Sequence, residues 1–359
     1  MTLIAEYIWI DGGTPTRALR SKTRVCSSER IMAGALNGSL LAADFPRWGA
    51  DGSSTGQAVG ENSDIVLKPV RVARDPFRTG GYLVLCETFT GSGKVHPSNA
   101  RARLRSVLLA GADKEDAMFG FEQEYTLCKP DGTPLGFPDS GYPAPQGPYY
   151  CGVGAGQIFG RDIYEQFLSN CVAAGLPITG ANFEVMPGQA EVQVAAKTLE
   201  ACDGIWFARW ILQRTAEPHN VRVSLDAKPA KGDWNGAGMH TNFSTARMRA
   251  SGGYDAIVAA ADELGRFVDD HLAVYGEGYE QRLTGAHETC RFDEYRWGVA
   301  DRTASVRIPR DVFEQKRGYL EDRRPNANAC SYEVAARILR TVCSIGIEDR
   351  RDERVRLSS

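Results

Sequence analysis

The chain has 359 residues, 43% hydrophobic and 24% charged, the range of a globular protein that buries a real core over about two to three domains. Its net charge of −3 gives no basic field for nucleic acid, and no apolar run approaches the ~20 residues of a membrane span. The nine cysteines form no C-x-x-C pair, which argues against a zinc ribbon or disulfide framework and for reduced thiols in a cytoplasm. Any metal should then be held by oxygen and imidazole.

The start, MTLIAEYIWIDGG, lacks a basic n-region and carries Glu6 inside its apolar run, so it reads as a first strand rather than a signal peptide. Strands are expected over Ile4–Ile10, Leu19–Val25, Ile65–Leu67 and Tyr82–Phe89, making residues 1–95 a β-rich first domain. The polar loop Asp51–Asn62 (DGSSTGQAVGEN) is long for a connection, and such loops are often functional. Gly91-Ser92-Gly93-Lys94 is followed by Val95, so it is a hairpin turn and not a phosphate loop.

Pro97 ends the strand pattern, and Ser98 is placed to cap a helix over Asn99–Leu109. The second domain, residues 98–359, alternates a strand at Met118–Leu127 with helices at Gly160–Ala174, Leu199–Thr215, Tyr254–Val274 and Tyr332–Ile345. The charged tail IEDRRDERVRLSS is expected to fray. There is no G-x-S-x-G elbow, no G-x-G-x-x-G after a strand and no recognisable Cys-His pair.

Alternation within MFGFEQEYTL puts Glu122 and Glu124 on one strand face, about 7 Å apart. That spacing suits two neighbouring cations, or a polar face open to water. In Asn182–Val194 (NFEVMPGQAEVQV), Pro187-Gly188 suits a type II turn. A hairpin centred there places Glu184 opposite Glu191. Facing like charges destabilise a hairpin unless a cation or a shared proton lies between them. In DWNGAGMHTNF, Gly236 and Gly238 leave backbone bare for a substrate, and His240 follows in a strand. A lone strand histidine is a core residue unless it converges on the carboxylates. Arg282, Arg302, Arg307, Arg310, Arg323 and Arg324 surround Glu321 in the last quarter, as an anion site or a solvated ion-pair network. Together these residues suit Mg²⁺ or Mn²⁺ and phosphoryl transfer from a metal–nucleotide.

The motifs AEYIWIDG, DGSSTGQA, GFEQEYTL, PAPQGPYYCGVG, EVMPGQ, GDWNGAGMHTNFST, RLTGAHET and GYLEDRRPNAN resemble those of glutamine synthetase, type II. The resemblance runs over roughly residues 3–335 and is nearest to actinomycete members. It implies an α+β fold, with an N-terminal β-grasp-like domain before a larger catalytic domain whose curved antiparallel sheet is flanked by helices. It implies that ATP phosphorylates the γ-carboxylate of L-glutamate and that ammonia then attacks the γ-glutamyl phosphate.

By the same resemblance, Glu124, Glu184 and Glu191 bind the metal nearest glutamate and ammonia. Glu122, His240 and Glu321 bind the metal at the nucleotide phosphates. Arg282, Arg302 and Arg323 hold glutamate and the transferred phosphoryl group, with Arg302, Asp51 and Glu288 counted as catalytic. Asn235 and Gly236 belong to the glutamate loop. Arg307, Asn242 and Tyr319, with Glu122, Glu191 and His240, form the ATP site. Asp51, Ser54, Tyr150 and Glu288 form the ammonium pocket, Asp51 coming from a neighbouring subunit of a decamer and Glu288 from a closing flap. The tyrosine-bearing adenylylation motif of the type I class is absent.

The departures cluster around the hairpin. The family has a small residue at Phe183, Trp at Ala190, Phe at Val192 and Gly-Pro at Ala195-Ala196, and Lys197–Asp203 also differs. The segment Ser27–Asp44 before Pro46-Arg47-Trp48 is longer than usual. Space opened at Ala190 and closed at Phe183 motivates an alternative, a γ-glutamyl amide ligase using another amine or hydrazine. The altered nucleotide wall motivates a second, a non-catalytic regulatory paralogue.

Overall fold

A computed structural model describes residues 2–346. Strands β1 (Leu3–Ile10), β2 (Leu19–Cys26), β3 (Trp48–Asp51), β4 (Asp64–Arg74) and β5 (Tyr82–Thr90) form a sheet of order β2-β1-β5-β4-β3. Its β1–β5 pair is parallel and its other pairs antiparallel, the β-grasp arrangement. Alternation along β1 decides what each face buries. Ala5, Tyr7 and Trp9 pack with helix α1 (Glu29–Asn37) through Ile31, and Ile8 joins the larger core. The long segment before the P-x-W motif is thus the cover of the first sheet.

Strand β4 runs well past the expected Ile65–Leu67. The strand continues through Pro69, with a register shift between Pro69 and Arg71. Its other neighbour, β3, ends at the Trp48–Leu67 pair, so the missing N–H falls where β4 has a free edge.

Helix α2 (Ala100–Leu109) is capped by Asn99, whose side chain accepts from the Ala102 N–H at 3.0 Å. The expected cap, Ser98, instead accepts from Gln57 Nε2 at 2.8 Å. The expected helix Tyr254–Val274 is two, Tyr254–Arg266 and Val268–Leu272, parted at Phe267 with φ −126°. Beside the break, a Cβ on Gly265 would lie 2.4 Å from the Tyr295 ring. The last helix spans Ser331–Val342, and the charged tail lies outside the described residues.

The second sheet is built on β6 (Met118–Cys128). It pairs with β8 (Gln189–Lys197), β10 (Met239–Ser244) and β9 (Arg222–Ser224). Outside these lie β7 (Ile178–Phe183), β13 (Leu320–Asp322), β12 (Val306–Ile308) and β11 (Trp297–Val299). All pairs are antiparallel except β11–β12. Helices α3 (Arg161–Ala173), α4 (Thr198–Ala216) and Ser331–Val342 cover one face. α4 is apolar nearly all round and almost wholly buried, as a helix inside a core must be. Phe119, Phe121, Tyr125 and Leu127 of β6 point into that core, so Glu122 and Glu124 point the other way, into a cleft.

Candidate active site

The cleft is a cavity of about 570 Å³. Glu124 and Glu191 are direct partners across β6 and β8. The Pro187-Gly188 turn forms as expected, with Gly188 at φ +73° and Gln189 N–H donating to Met186 O at 3.2 Å. The register beyond it is not the expected one. Glu184 N–H donates to Gln189 O, and Asn182, not Glu184, is the partner of Glu191. The reason lies outside the hairpin. Val185 O accepts from Gly147 N–H at 3.2 Å and Gly188 O from Leu127 N–H at 2.8 Å, which draws the turn residues away from the ladder. The three carboxylates still converge: one oxygen each of Glu124, Glu184 and Glu191 lies within 4.8 Å of the others.

Burial raises all three carboxyls, Glu124 to about 7, Glu184 to about 8 and Glu191 to about 9. For Glu184 and Glu191 the neighbouring carboxylates add to the rise, whereas Arg282 draws Glu124 back. Acidic groups so poorly compensated call for a cation, and an all-oxygen set at this spacing fits a hard divalent ion.

A second group joins Glu122, Glu191 and His240, again within 4.8 Å. His240 Nδ1 is 3.4 Å from Glu122 Oε2 and 3.6 Å from Glu321 Oε1. Glu321 is therefore beside the histidine, as expected, but it accepts hydrogen bonds from Arg307 and, at 2.6 Å, from Arg323. Burial and Arg323 hold the imidazole well below its ordinary pKa, in the neutral form that can ligate a metal. Nη2 of the buried Arg282 lies 3.0 Å from His240 Nε2, and Arg282 donates to the carbonyls of Arg323 and Arg324. The glycines serve this arginine. A Cβ on Gly238 would lie 2.4 Å from Arg282 Nη2, and one on Gly236 2.5 Å from its Cγ. The bare backbone expected for a substrate is occupied by a guanidinium.

Asn235 donates to Gln189 Oε1 at 2.6 Å, and its own N–H donates to Gln146 Oε1 at 2.7 Å. Its Oδ1 is buried with no hydrogen-bond partner, an acceptor free for a ligand. Tyr150, Glu288, Arg302 and Arg307 also line the cavity. The Glu288 loop is held at the mouth by His287, whose Nε2 is 3.0 Å from Asp233 and whose Nδ1 is 2.9 Å from Gln146 Nε2. His287 and Glu288 both adopt positive φ, 52° and 57°. Asn242 and Tyr319 line an adjoining cavity of about 350 Å³ that shares Glu122 and Gln193 with the first.

Asp51 and Ser54 do not line either cavity. Asp51 ends β3 and Ser54 lies in the turn just after it, both exposed; Asp51 accepts from Ser53 Oγ at 2.6 Å, Ser54 Oγ at 2.7 Å and Ser53 N–H at 2.9 Å. Those bonds hold its carboxyl below the usual range.

The departures around the hairpin fall mainly on the other side of the sheet. Phe183, Ala190 and Val192 are all in the core. Phe183 packs at a tilt against Tyr164 with ring centroids 4.4 Å apart, and Ala190 is its direct cross-strand partner. A large residue at 183 thus packs beside a small one at 190 in one layer of the core. Ala195 lines the adjoining pocket, and Lys197, Thr198, Leu199, Glu200 and Asp203 line a separate cavity. Residue reading missed Gln193, Gln189, Gln146 and Asn182. For Gln193 the signal was present, since it lies two positions from Glu191 on its strand and shares its face; Asn182 lies two positions before Glu184, which falls in the turn after β7.

The chain's sequence matches the family described as glutamine synthetase, catalytic domain, over residues 98–263. It is 54% identical to the glutamine synthetase of Streptomyces viridochromogenes over 96% of this chain and 98% of that one. For the glutamine synthetase of Emericella nidulans the figures are 48%, 95% and 93%, and for that of Frankia alni 50%, 96% and 93%. A solved structure titled "GmaS/ADP complex-Conformation 1" superposes with TM-score 0.66 at 21% identity, covering 98% of this chain and 83% of that one, which speaks to the fold. The chain belongs to the glutamine synthetase family.

Proposed function

We propose that this protein ligates ammonia to the γ-carboxylate of L-glutamate, using ATP and passing through γ-glutamyl phosphate. The observation that carries the reading is one cleft in which two carboxylate clusters, sharing Glu191, face Arg282, Arg302, Arg307 and Arg323. Glu124, Glu184 and Glu191 hold one cation; Glu122, His240 and Glu321 hold the second. Oxygen donors favour Mg²⁺, with Mn²⁺ as its close substitute. Bound there, the cations neutralise charge on the phosphates and polarise the transferred phosphoryl group.

The chain's own residues do the remainder. Arg282, Arg302 and Arg323 orient glutamate and stabilise the charge that develops on the phosphoryl oxygens. The free Oδ1 of Asn235 and the Gly236 backbone receive the amino-acid end of glutamate. Arg307, Asn242 and Tyr319 bind the nucleotide. Tyr150 and Glu288 receive ammonium, and closure of the Glu288 loop keeps water from the acyl phosphate. Asp51 and Ser54 complete the pocket from a neighbouring subunit, where Asp51 takes the proton from ammonium. Sites shared in this way require a homo-oligomer, which by the family resemblance is a decamer of two pentameric rings.

The first 95 residues are taken as one domain and 98–359 as the other. A cytoplasmic setting accords with nine cysteines that are all unpaired; among the described residues no helix is long and apolar enough to cross a membrane. Phe183 and Ala190 face the core, so the amine-ligase alternative stands only as the second reading. The test is ADP release with glutamate and ammonium, beside methylamine, ethylamine, hydroxylamine and hydrazine. No turnover with ammonium, against an active control, would sink the proposal.

A further inference from the structure

Three cluster carboxylates share a partner type. Asn182 Nδ2 donates to Glu184 Oε1 at 2.9 Å, Gln193 Nε2 to Glu191 Oε1 at 2.8 Å, and Asn242 Nδ2 to Glu122 Oε1 at 2.8 Å. Asn182 and Gln193 reach their glutamates from two positions away on the same chain segment. Asn242 reaches across from β10, where it pairs with Gly120. Each amide takes one carboxylate oxygen and leaves the other. Glu122 Oε2, the oxygen left over, is the one that faces His240 Nδ1 at 3.4 Å.

The contrast is Glu321, whose two oxygens accept from two guanidinium groups, those of Arg307 and Arg323. A guanidinium orients a carboxylate and neutralises it at once. A carboxamide orients without adding charge, so the attraction for a cation is kept. The backbone makes room for one of these amides. A Cβ on Gly180, which faces Gln193 across β7 and β8, would lie 2.6 Å from Gln193 Oε1.

We propose that Asn182, Gln193 and Asn242 are positioning residues of the metal centre: neutral amide donors that fix the rotamers of Glu184, Glu191 and Glu122 so that their free oxygens converge. The proposal rests on the reading of these clusters as metal sites. Gln193 is the most consequential of the three. It holds the glutamate common to both clusters, and it forms part of the wall of both cavities.

The test titrates metal-free full-length protein with Mn²⁺, reading free ion by its paramagnetic resonance signal in the absence of substrates. Asn182→Ala, Gln193→Met and Asn242→Ala are compared with the unaltered chain, and the unfolding temperature of each metal-free protein is measured alongside. Losing an outer partner of this kind weakens metal binding by about 10–100-fold, and that loss is expected. Gln193→Lys, which keeps a donor but adds charge, should lose at least as much. The variants lie on three different strands, so failure of one to fold leaves two. Unchanged Mn²⁺ affinity in the folded variants overturns the proposal, even where the unfolding temperature falls. An unaltered chain that binds no Mn²⁺ overturns the metal-site reading itself, a distinguishable result.

Discussion

Glu124 and Glu191 stand directly opposite each other on adjacent antiparallel strands, both buried, with Glu184 brought in from the neighbouring turn. Such a pairing is unfavourable as an ion pair of like sign and becomes favourable once a divalent ion lies between. It makes the metal-free and metal-bound proteins respond differently to pH.

The folded-state pKa values of the three glutamates are raised above the ordinary 4.5. Their contribution to stability is therefore full below pH 4.5 and is lost as pH rises through about 7 to 9. Metal-free protein should lose stability from pH 6 to pH 9, and the stabilisation by saturating Mn²⁺ should grow over the same range, because ions displace protons. Thermal unfolding at several pH values, with and without Mn²⁺, checks this. A metal-induced increment independent of pH would refute it.

Glu191→Gln removes the charge shared by both clusters while keeping its shape. The metal-free protein should become more stable at pH 8 by on the order of a few kcal/mol. Catalytic turnover should fall by about 10²-fold or more, from lost metal-assisted charge stabilisation. Denaturant unfolding and ADP release measure the two halves. A variant less stable than the parent contradicts the first.

Gly238→Ala places a methyl on the Arg282 guanidinium. Small misplacements of a positioning arginine cost up to about 10²-fold in kcat/KM, and here the loss should appear in KM for glutamate more than in KM for ATP. Steady-state kinetics with each substrate varied decides it; equal effects on both would point to a general disturbance.

Phe183→Ala should destabilise the fold by about 3–5 kcal/mol and leave the amine preference unchanged, since the ring lies against Tyr164. Restoring bulk on the facing strand with Ala190→Trp should recover part of that loss, so the double variant is less destabilised than the sum of the singles. Urea unfolding of the three proteins tests the exchange of sizes. An altered amine preference in Phe183→Ala would count against a core role.

Asp51→Asn and Glu124→Gln should each be inactive alone. In mixed oligomers some sites draw Asp51 from one chain and Glu124 from the other, and activity should return in part. No recovery on co-expression, with mixing confirmed by mass spectrometry, would mean that each site is built from one chain.

The sequence by itself determined what repeats locally. Period-two alternation put Glu122 and Glu124 on one face of β6 and Phe119, Phe121 and Tyr125 on the other, and the helices α3 and α4 were visible as apolar periodicity. Pro187-Gly188 specified its own turn. Tertiary structure decided what depends on contacts from elsewhere in the chain. Hydrogen bonds from Gly147 and Leu127 shifted the hairpin register, so that Glu191 meets Glu124 across the sheet and Glu184 only from the turn. Gly238 proved to be a seat for Arg282, and Phe183 and Ala190 turned out to fill one layer of the core. A strand's two faces follow from its own geometry, whereas its register and its neighbours are settled by groups far away in sequence.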